Sequence, residues 1–156
     1  MLNNDVLRRV RYIVDFNDHK MMQVFASAGL EITREQLSNW LKKDDDADYK
    51  SLKDVELSMF LNGLINEKRG KREGEQPKPE ESLNNNLVFR KLMIAFNLKS
   101  EDVMELFKLA DLKVGKSELS AFFRKKEHKN YRECKAQMLR NFLKGLQMKY
   151  RDQEAE

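Results

Sequence analysis

The chain has 156 residues with a formal net charge of +4, and 36% of the residues are charged while 40% are hydrophobic. No apolar run approaches the roughly 18 residues that a membrane helix needs, so we expect no membrane partner. The N-terminus has no signal-peptide pattern, and the single cysteine, Cys134, excludes an intramolecular disulfide and a cysteine metal cluster. These features predict a cytoplasmic protein.

The first lobe, residues 1–69, reads as four helices because apolar residues recur at helical spacing and no segment alternates with a period of two. We expect Asn3 or Asn4 to cap the first helix, since asparagine accepts a hydrogen bond from an unpaired backbone N–H. The predicted helices run from that cap to about Phe16, from Asp18 to a stop at Gly29, from a Thr33–Gln36 capping box, and from about Ser51 to Glu67.

Residues 70–82 form the linker, which holds both prolines and almost no apolar residue. This composition predicts a segment that does not join a core. The second lobe, residues 83–151, repeats the helical plan, and an acidic tail follows at 152–156. Its predicted helices start at Asn86 and Ser100, include a third around Leu119, Phe122 and Phe123, and end with a long one from about Tyr131 to Tyr150.

The two lobes are an internal duplication. The run Phe60-Leu61-Asn62-Gly63-Leu64 returns 82 residues later as Phe142-Leu143-Lys144-Gly145-Leu146. The same offset, without a gap, aligns Asn3-Asn4 with Asn85-Asn86 and extends to Arg69 and Arg151. A match held in register over a whole segment indicates a tandem repeat. Each lobe is small for an independent core, so we expect the lobes to pack on each other or a homodimer to cover them.

A glycine inside the fourth helix of each lobe, Gly63 and Gly145, has a cost in helix propensity of about 1 kcal/mol relative to alanine. Its presence at the same place in both lobes predicts that another helix crosses there too closely for a Cβ atom. Cys134 aligns with Leu52, which predicts a small apolar core residue.

The charge is divided unequally between the lobes. Residues 1–69 have a net charge of −1, residues 83–151 of +9, the linker of −1 and the tail of −3. The densest basic stretch follows the third helix of the second lobe, where phosphate could bind by charge and Tyr131 could stack on a base. A solvated or protein-facing loop is the alternative. The candidate nucleic-acid or partner-binding residues are Lys116, Arg124, Lys125, Lys126, Lys129 and Arg132.

The same loop in the first lobe is acidic, with Asp44, Asp46 and Asp48 at the spacing of a calcium loop. Tyr49 stands where that loop requires glycine and Val55 where it requires glutamate, so we expect no metal. The acidic loop could instead meet the basic loop, within a chain or across a dimer. No nucleophile–base pair, phosphate-binding glycine loop or metal spacing is present, so we expect no enzyme activity and no cofactor.

The doubled Asn-Asn-x-Val-x-Arg starts, the Leu-Ser-x-aromatic third helices and the Phe-Leu-x-Gly-Leu fourth helices resemble the YehS-like bacterial proteins, a tandem-repeat family of unknown function. The resemblance covers the chain from Leu2 to about Arg151 and implies an all-helical cytoplasmic protein, with no catalytic or binding residues to transfer. The sequence therefore predicts an all-α protein of two tandem four-helix repeats with loose helix-turn-helix hairpins, packed as two similar lobes. Its expected function is a protein–protein interaction or regulatory module; the alternative is nucleic-acid binding by the basic second repeat.

Overall fold

The computed structural model describes residues 1–152, and this part of the chain contains eight α-helices and no strand. It confirms the all-α fold of two tandem four-helix repeats. The acidic tail predicted at 152–156 lies outside the described residues after Asp152. The helices are α1 Asn3–Val14, α2 Asp18–Ser27, α3 Arg34–Leu41, α4 Asp54–Arg69, α5 Asn85–Ala95, α6 Ser100–Leu109, α7 Lys116–Ala121 and α8 Ala136–Tyr150.

The chain divides into two compact units, unit 1 (Met1–Leu83) and unit 2 (Asn84–Glu156). The four helices of unit 1 begin at residues 3, 18, 34 and 54, and those of unit 2 begin at 85, 100, 116 and 136. Every corresponding pair of helix starts is therefore 82 residues apart. The sequence offset is reproduced as a structural offset, which is the expected result of a duplicated four-helix plan.

Local hydrogen bonds explain most of the helix starts. Thr33 Oγ1 accepts the N–H of Gln36 at 3.1 Å, and Gln36 Oε1 accepts the N–H of Thr33 at 2.8 Å, so the predicted capping box is confirmed. Helix α2 has Asn17 as its N-cap, whose side chain accepts the N–H of Lys20 at 2.8 Å. Gly29 follows this helix with a φ of 95°, in the conformation expected of a glycine after a helix end.

The prediction that Asn3 or Asn4 caps the first helix is wrong. The N-cap of α1 is Leu2, and both asparagines lie within the first turn. In unit 2 the N-cap is Asn84, which accepts the N–H of Leu87 at 2.8 Å. The side chains of Asn3, Asn4, Asn85 and Asn86 instead form hydrogen bonds with the segments that precede α4 and α8.

The predicted starts of the fourth helices, near Ser51 and Tyr131, are also too early. Residues before Asp54 and Ala136 have an extended backbone, as at Lys53 and Lys135 with ψ of 157° and 159°. Their peptide groups are engaged by the asparagines of the first helix of their unit and cannot enter a helical ladder. Because the apolar spacing continues across the start of each fourth helix, the sequence did not reveal these asparagine contacts.

Each unit has one core lined by equivalent residues. Leu57, Phe60, Leu61 and Leu64 of α4 are buried, as are their counterparts Leu139, Phe142, Leu143 and Leu146 of α8. The two cores differ at several paired positions, and one of these differences is an exchange of volume. Unit 1 has the smaller Leu7 on its first helix and the larger Trp40 on its third, whereas unit 2 has Phe89 on α5 and Phe122 directly after α7. A larger residue on one helix is matched by a smaller one on its neighbour, as dense packing requires.

The predicted close helix crossings are present. A Cβ atom built on Gly63 would overlap the carbonyl oxygen of Val24 on α2 and would lie 2.8 Å from the carbonyl carbon of the same residue. At Gly145 the same clash would occur with the carbonyl oxygen of Leu106 on α6. Both obstacles are backbone atoms, which cannot move as a side chain can. Glycine is therefore required at these two positions for packing.

The end of the linker and the following residue, Leu83, form backbone hydrogen bonds with unit 1. The backbone N–H of Glu80 donates to Oγ of Ser58 at 2.9 Å, and Ser58 is fully buried on α4. The N–H of Leu83 donates to Asp54 at 2.9 Å. Polar side chains of α4 thus hold the backbone of a segment that brings few apolar side chains of its own.

Candidate functional site

Asn86 holds the segment between α7 and α8 in place. Its Nδ2 donates to the carbonyl oxygens of Phe122 at 2.9 Å and Arg132 at 2.8 Å, and its Oδ1 accepts the N–H of Cys134 at 2.8 Å. Only 7% of Asn86 is exposed. Because a buried amide with all these partners tolerates little displacement, the end of this segment is fixed relative to α5.

Asn4 makes the equivalent contacts in unit 1. Its Nδ2 donates to Trp40 O at 2.9 Å and Lys50 O at 2.8 Å, and its Oδ1 accepts the N–H of Leu52 at 2.9 Å. It accepts one more bond, from the hydroxyl of Tyr49 at 3.0 Å. This bond gives the position of Tyr49, between the third and fourth helices, a structural explanation in unit 1.

The loops held by these asparagines share one backbone arrangement. We call residues 43–50 the acidic loop and residues 125–132 the basic loop. Three backbone hydrogen bonds of one loop recur in the other at the offset of 82. In the acidic loop they are Asp46 N to Lys43 O, Tyr49 N to Asp46 O and Lys50 N to Asn39 O; in the basic loop they are His128 N to Lys125 O, Tyr131 N to His128 O and Arg132 N to Ala121 O.

A side-chain bond at the tip of each loop is also matched, by different chemistry. In the acidic loop, Oδ1 of Asp46 accepts the N–H of Asp48 at 2.8 Å. In the basic loop, Nδ1 of His128 accepts the N–H of Asn130 at 3.0 Å. A ring nitrogen has replaced a carboxylate oxygen as the acceptor, so the turn is kept while a negative charge is removed.

Charge is what differs between the two loops. The acidic loop has four aspartates and two lysines, and the basic loop has three lysines, one arginine and one glutamate. Their formal net charges are therefore −2 and +3. Two surfaces with the same backbone thus present opposite charges.

The structure places the six candidate cations in two regions around α7. Lys125, Lys126 and Lys129 are exposed within the basic loop, and Arg124, just before it, is half-buried. Lys116 is exposed at the first residue of α7, at the opposite end of that helix from Arg124.

Arg132 faces back toward α7 instead of joining the three exposed lysines. Its guanidinium lies 3.6 Å from the carboxylate of Glu118 and 5.9 Å from the ring centre of Phe122. The compact cationic surface therefore consists of the three lysines, with Arg124 at its edge.

The helix pairs α2–α3 and α6–α7 do not match a DNA-reading motif closely. Six residues join each pair, whereas the DNA-binding helix-turn-helix uses a turn of about three or four. Helix α7 itself has only six residues, which limits the surface it offers to a major groove.

Within residues 1–152, no group of three or more His, Cys, Asp or Glu side chains is arranged to hold a metal ion. The same residues contain no helix that is both long and apolar enough to cross a membrane.

Within residues 1–152, the two clearly displaced pKa values have structural causes. The backbone N–H of Leu83, followed by the Asn3 amide, holds the pKa of Asp54 below its ordinary value of 3.8. Burial, followed by the nearby charge of Glu133, raises the pKa of the Cys134 thiol to about 12. Cys134 has no exposed surface, as expected for the counterpart of the core residue Leu52.

The comparisons with known proteins agree with the repeated architecture. The family model described as "Protein of unknown function (DUF1456)" matches twice, over residues 3–70 and 85–152. The chain belongs to this family. It is 45% identical over 147 residues, or 94% of each chain, to the "Uncharacterized protein YehS" of Escherichia coli strain K12. No solved structure matches the chain. The resemblance to a tandem-repeat family of unknown function is thus confirmed.

Sequence reasoning found the charged loops but missed the residues that position them. Asn4 and Asn86 carry that role, and their repetition in adjacent pairs was the available signal, because capping a helix needs one asparagine. The bonds from Asn3 and Asn85 to the carbonyl oxygens of Leu52 and Cys134 explain the second member of each pair.

Proposed function

We propose that this chain is a non-enzymatic interaction or regulatory module that binds protein partners through its acidic and basic loops. The observation that supports this function is the matched backbone of the two loops, which recurs at the offset of 82 while the net charge changes from −2 to +3. Charge complementarity governs partner choice and association rate at protein interfaces more than it governs fold stability.

The position of the charges favours recognition over a structural role. The side chains of residues 44–48 and 125–130 are exposed, and exposed ion pairs stabilise a fold by only about 0–1 kcal/mol. The residues that do hold the loops are the buried asparagines and the backbone bonds. Charge in the loops can therefore change with the partner while the fold is retained.

The displaced pKa values are consistent with a non-enzymatic function. Catalytic groups usually combine a shifted pKa with a position in a cleft beside a reacting partner. The carboxylate of Asp54 is occupied with the linker backbone, and the thiol of Cys134 is enclosed in the core. Both groups thus serve the fold.

Affinity capture followed by reconstitution tests the proposal. The wild-type chain is compared with Lys125→Glu/Lys126→Glu, with Asp44→Lys/Asp45→Lys, and with a control, Lys71→Glu/Lys78→Glu, that makes the same charge change as the first variant at exposed linker positions. We expect a captured protein, once purified, to bind wild type and control equally and to lose about tenfold or more in affinity for one loop variant. Equal binding to all four chains would contradict the proposal.

A specific observation also favours a second candidate function, nucleic-acid binding, because three exposed lysines of the basic loop lie next to Tyr131. Fluorescence anisotropy with random duplex DNA and single-stranded RNA at two salt concentrations tests it. Micromolar binding that weakens steeply with salt and is lost in Lys125→Glu/Lys126→Glu would establish this second function. No binding at low salt would remove it.

Pairing of the acidic and basic loops between two copies is a third arrangement that the same variants address. Sedimentation of wild type would then show a dimer that weakens with salt. Either loop variant alone would give monomers, because both of its loops then have the same sign of charge, −2 and −1 or +2 and +3. Mixing the two variants should restore dimers, since the wild-type acidic loop of one variant can meet the wild-type basic loop of the other.

A further inference from the structure

Residues 76–83, which we call the strap, comprise the end of the linker and Leu83, and they bond to one face of α4 in unit 1 through Glu80 and Leu83. The N–H of Glu80 donates to Ser58 Oγ at 2.9 Å, and the N–H of Leu83 donates to Asp54 at 2.9 Å. Glu80 precedes Leu83 in sequence whereas Ser58 follows Asp54, so the strap runs antiparallel to the helix. Unit 1 thus shows that this face accepts an extended peptide.

The corresponding face of α8 has different residues and is open. At the offset of 82, Ser58 and Asn62 of α4 correspond to Arg140 and Lys144 of α8. Ser58 is 0% exposed and Asn62 is 9% exposed, whereas Arg140 and Lys144 are both exposed. Residues four apart lie on one side of a helix, so the two cations share a face.

The rest of this α8 face suits a peptide backbone. Gln137 and Asn141 lie beside the two cations, and Nε2 of Gln137 donates to Oδ1 of Asn141 at 3.2 Å. Their amides offer donors and acceptors to an extended chain, whose own N–H and C=O groups need partners. Among residues 1–152, neither Arg140 nor Lys144 forms an ion pair.

We propose that the Arg140/Lys144 face of α8 binds an extended acidic peptide of a partner protein through the carboxylates of that peptide. The face is equivalent to the one that carries the strap on α4, but Ala136 and Arg140 stand where Asp54 and Ser58 accept backbone N–H groups, so the attraction is to charge. Glu80 of the strap lies at Ser58, the position that Arg140 occupies in unit 2. A glutamate in a peptide bound to α8 in the same way would therefore meet a guanidinium, which pairs strongly with carboxylates. This face is separate from the two loops and does not depend on their function.

An acidic peptide fits this face better than nucleic acid does. The precedent within the chain is a polypeptide segment bound on the equivalent face of α4, with Glu80 beside Ser58. The face has two cations flanked by two amides, and none of the five residues at positions 136, 137, 140, 141 and 144 is aromatic, so it provides no base-stacking platform.

A binding titration on the full chain tests this proposal. The probe is a fluorescent peptide with the sequence of residues 73–83, which has four glutamates and one lysine. The variant Arg140→Gln/Lys144→Gln removes both charges from the face without recreating Ser58 and Asn62 of α4, and a matched control, Lys125→Gln/Lys126→Gln, removes the same charge from the basic loop. We expect micromolar binding to wild type, about tenfold weaker binding to the α8 variant, and a change of less than about twofold in the control.

Two further measurements make the result decisive. Circular dichroism establishes that the α8 variant is folded, which we expect because Arg140 and Lys144 are both exposed and glutamine is a good helix former. A probe with its glutamates replaced by glutamine should bind about tenfold more weakly to wild type. If the loops do not bind a protein partner, the loop variants will show this in the capture experiment. The peptide affinities measured for the α8 face would not change.

Three outcomes would overturn the proposal. The first is no binding of the peptide to wild type, and the second is equal binding to the α8 variant and wild type. The third is a short single-stranded RNA that binds wild type more tightly than the peptide and loses that affinity in the α8 variant, because the face would then serve nucleic acid.

Discussion

Asn4 accepts the backbone N–H of Leu52 at 2.9 Å, linking the first turn of α1 to the extended residues before α4. Asn4→Ala would leave that N–H and the carbonyl oxygens of Trp40 and Lys50 without this partner in or near the core. We expect unit 1 to lose about 3 kcal/mol or more in its free energy of unfolding, since each buried polar group left unpaired costs about 1–3 kcal/mol.

Urea unfolding followed by tryptophan fluorescence measures this loss, because Trp40 is the only tryptophan and lies in the core of unit 1. Asn3→Ala is the control. Asn3 is only half-buried and donates to Leu52 O and Asp54, so its removal should cost about 1 kcal/mol. Equal losses in the two variants would contradict the assigned role of Asn4.

The helix crossings at Gly63 and Gly145 predict a second pair of destabilised variants. Gly63→Ala and Gly145→Ala each place a methyl group against a backbone carbonyl of the crossing helix. We expect a loss of about 2 kcal/mol in each, because overpacking by about 1–3 kcal/mol outweighs the gain of about 1 kcal/mol in helix propensity. Gly115→Ala is the control, since no atom lies within 4 Å of its added Cβ. A stabilised Gly63→Ala variant would show that the two helices can separate at little cost.

The attachment of the strap is predicted to depend on pH through Asp54. The ionised carboxylate accepts the N–H of Leu83, and its folded pKa lies below the ordinary value. Its contribution to stability is therefore complete above the ordinary aspartate pKa and is lost as the pH falls through the lowered folded pKa. The Leu83 amide proton, followed by NMR, should shift with this titration.

Asp54→Asn is the control for that titration, because it leaves an acceptor oxygen but removes the ionisation. The acid shift of the Leu83 amide should disappear in this variant. A Leu83 amide that keeps its titration in Asp54→Asn would assign the effect to another group.

Cys134 is predicted to be unreactive in the folded chain. Its thiol is fully buried and has a pKa raised to about 12, so almost no thiolate is present at pH 8. A disulfide reagent that releases a coloured thiol should detect no cysteine until urea is added. In Ser117→Cys, which places a second thiol at an exposed position of α7, one equivalent should react at once. Rapid reaction of native Cys134 would mean that this part of unit 2 opens readily.

The sequence was sufficient to predict the repeat, the helix types and the reason for Gly63 and Gly145. Those features depend on local spacing and on comparison of the chain with itself. The bridges made by Asn4 and Asn86 join residues more than 30 positions apart, as from Asn4 to Trp40, and propensity does not report such contacts. The predicted starts of α4 and α8 were too early for the same reason.

Only part of the candidate site could be predicted from the sequence. Loop charge can be counted directly, and it identified the exposed lysines of the basic loop. The direction of Arg132 toward Glu118 depends on how α7 ends, and the open face around Arg140 becomes visible only once the strap is found on Ser58. Hydrogen bonds from a polar linker to a helix have no pattern of apolar spacing that would reveal them.

Unit 1 has the pair Leu7 and Trp40 where unit 2 has the pair Phe89 and Phe122. This exchange of volume limits how the two repeats could have diverged. Phe89 now contacts the rings of Phe107, Phe122, Phe123 and Phe142. A change of one member of such a pair alone would leave the interior crowded or hollow, so dense packing requires a matching change or a shift of neighbouring side chains. Recombination between the two halves would now join mismatched interiors, which keeps the copies from being made uniform again.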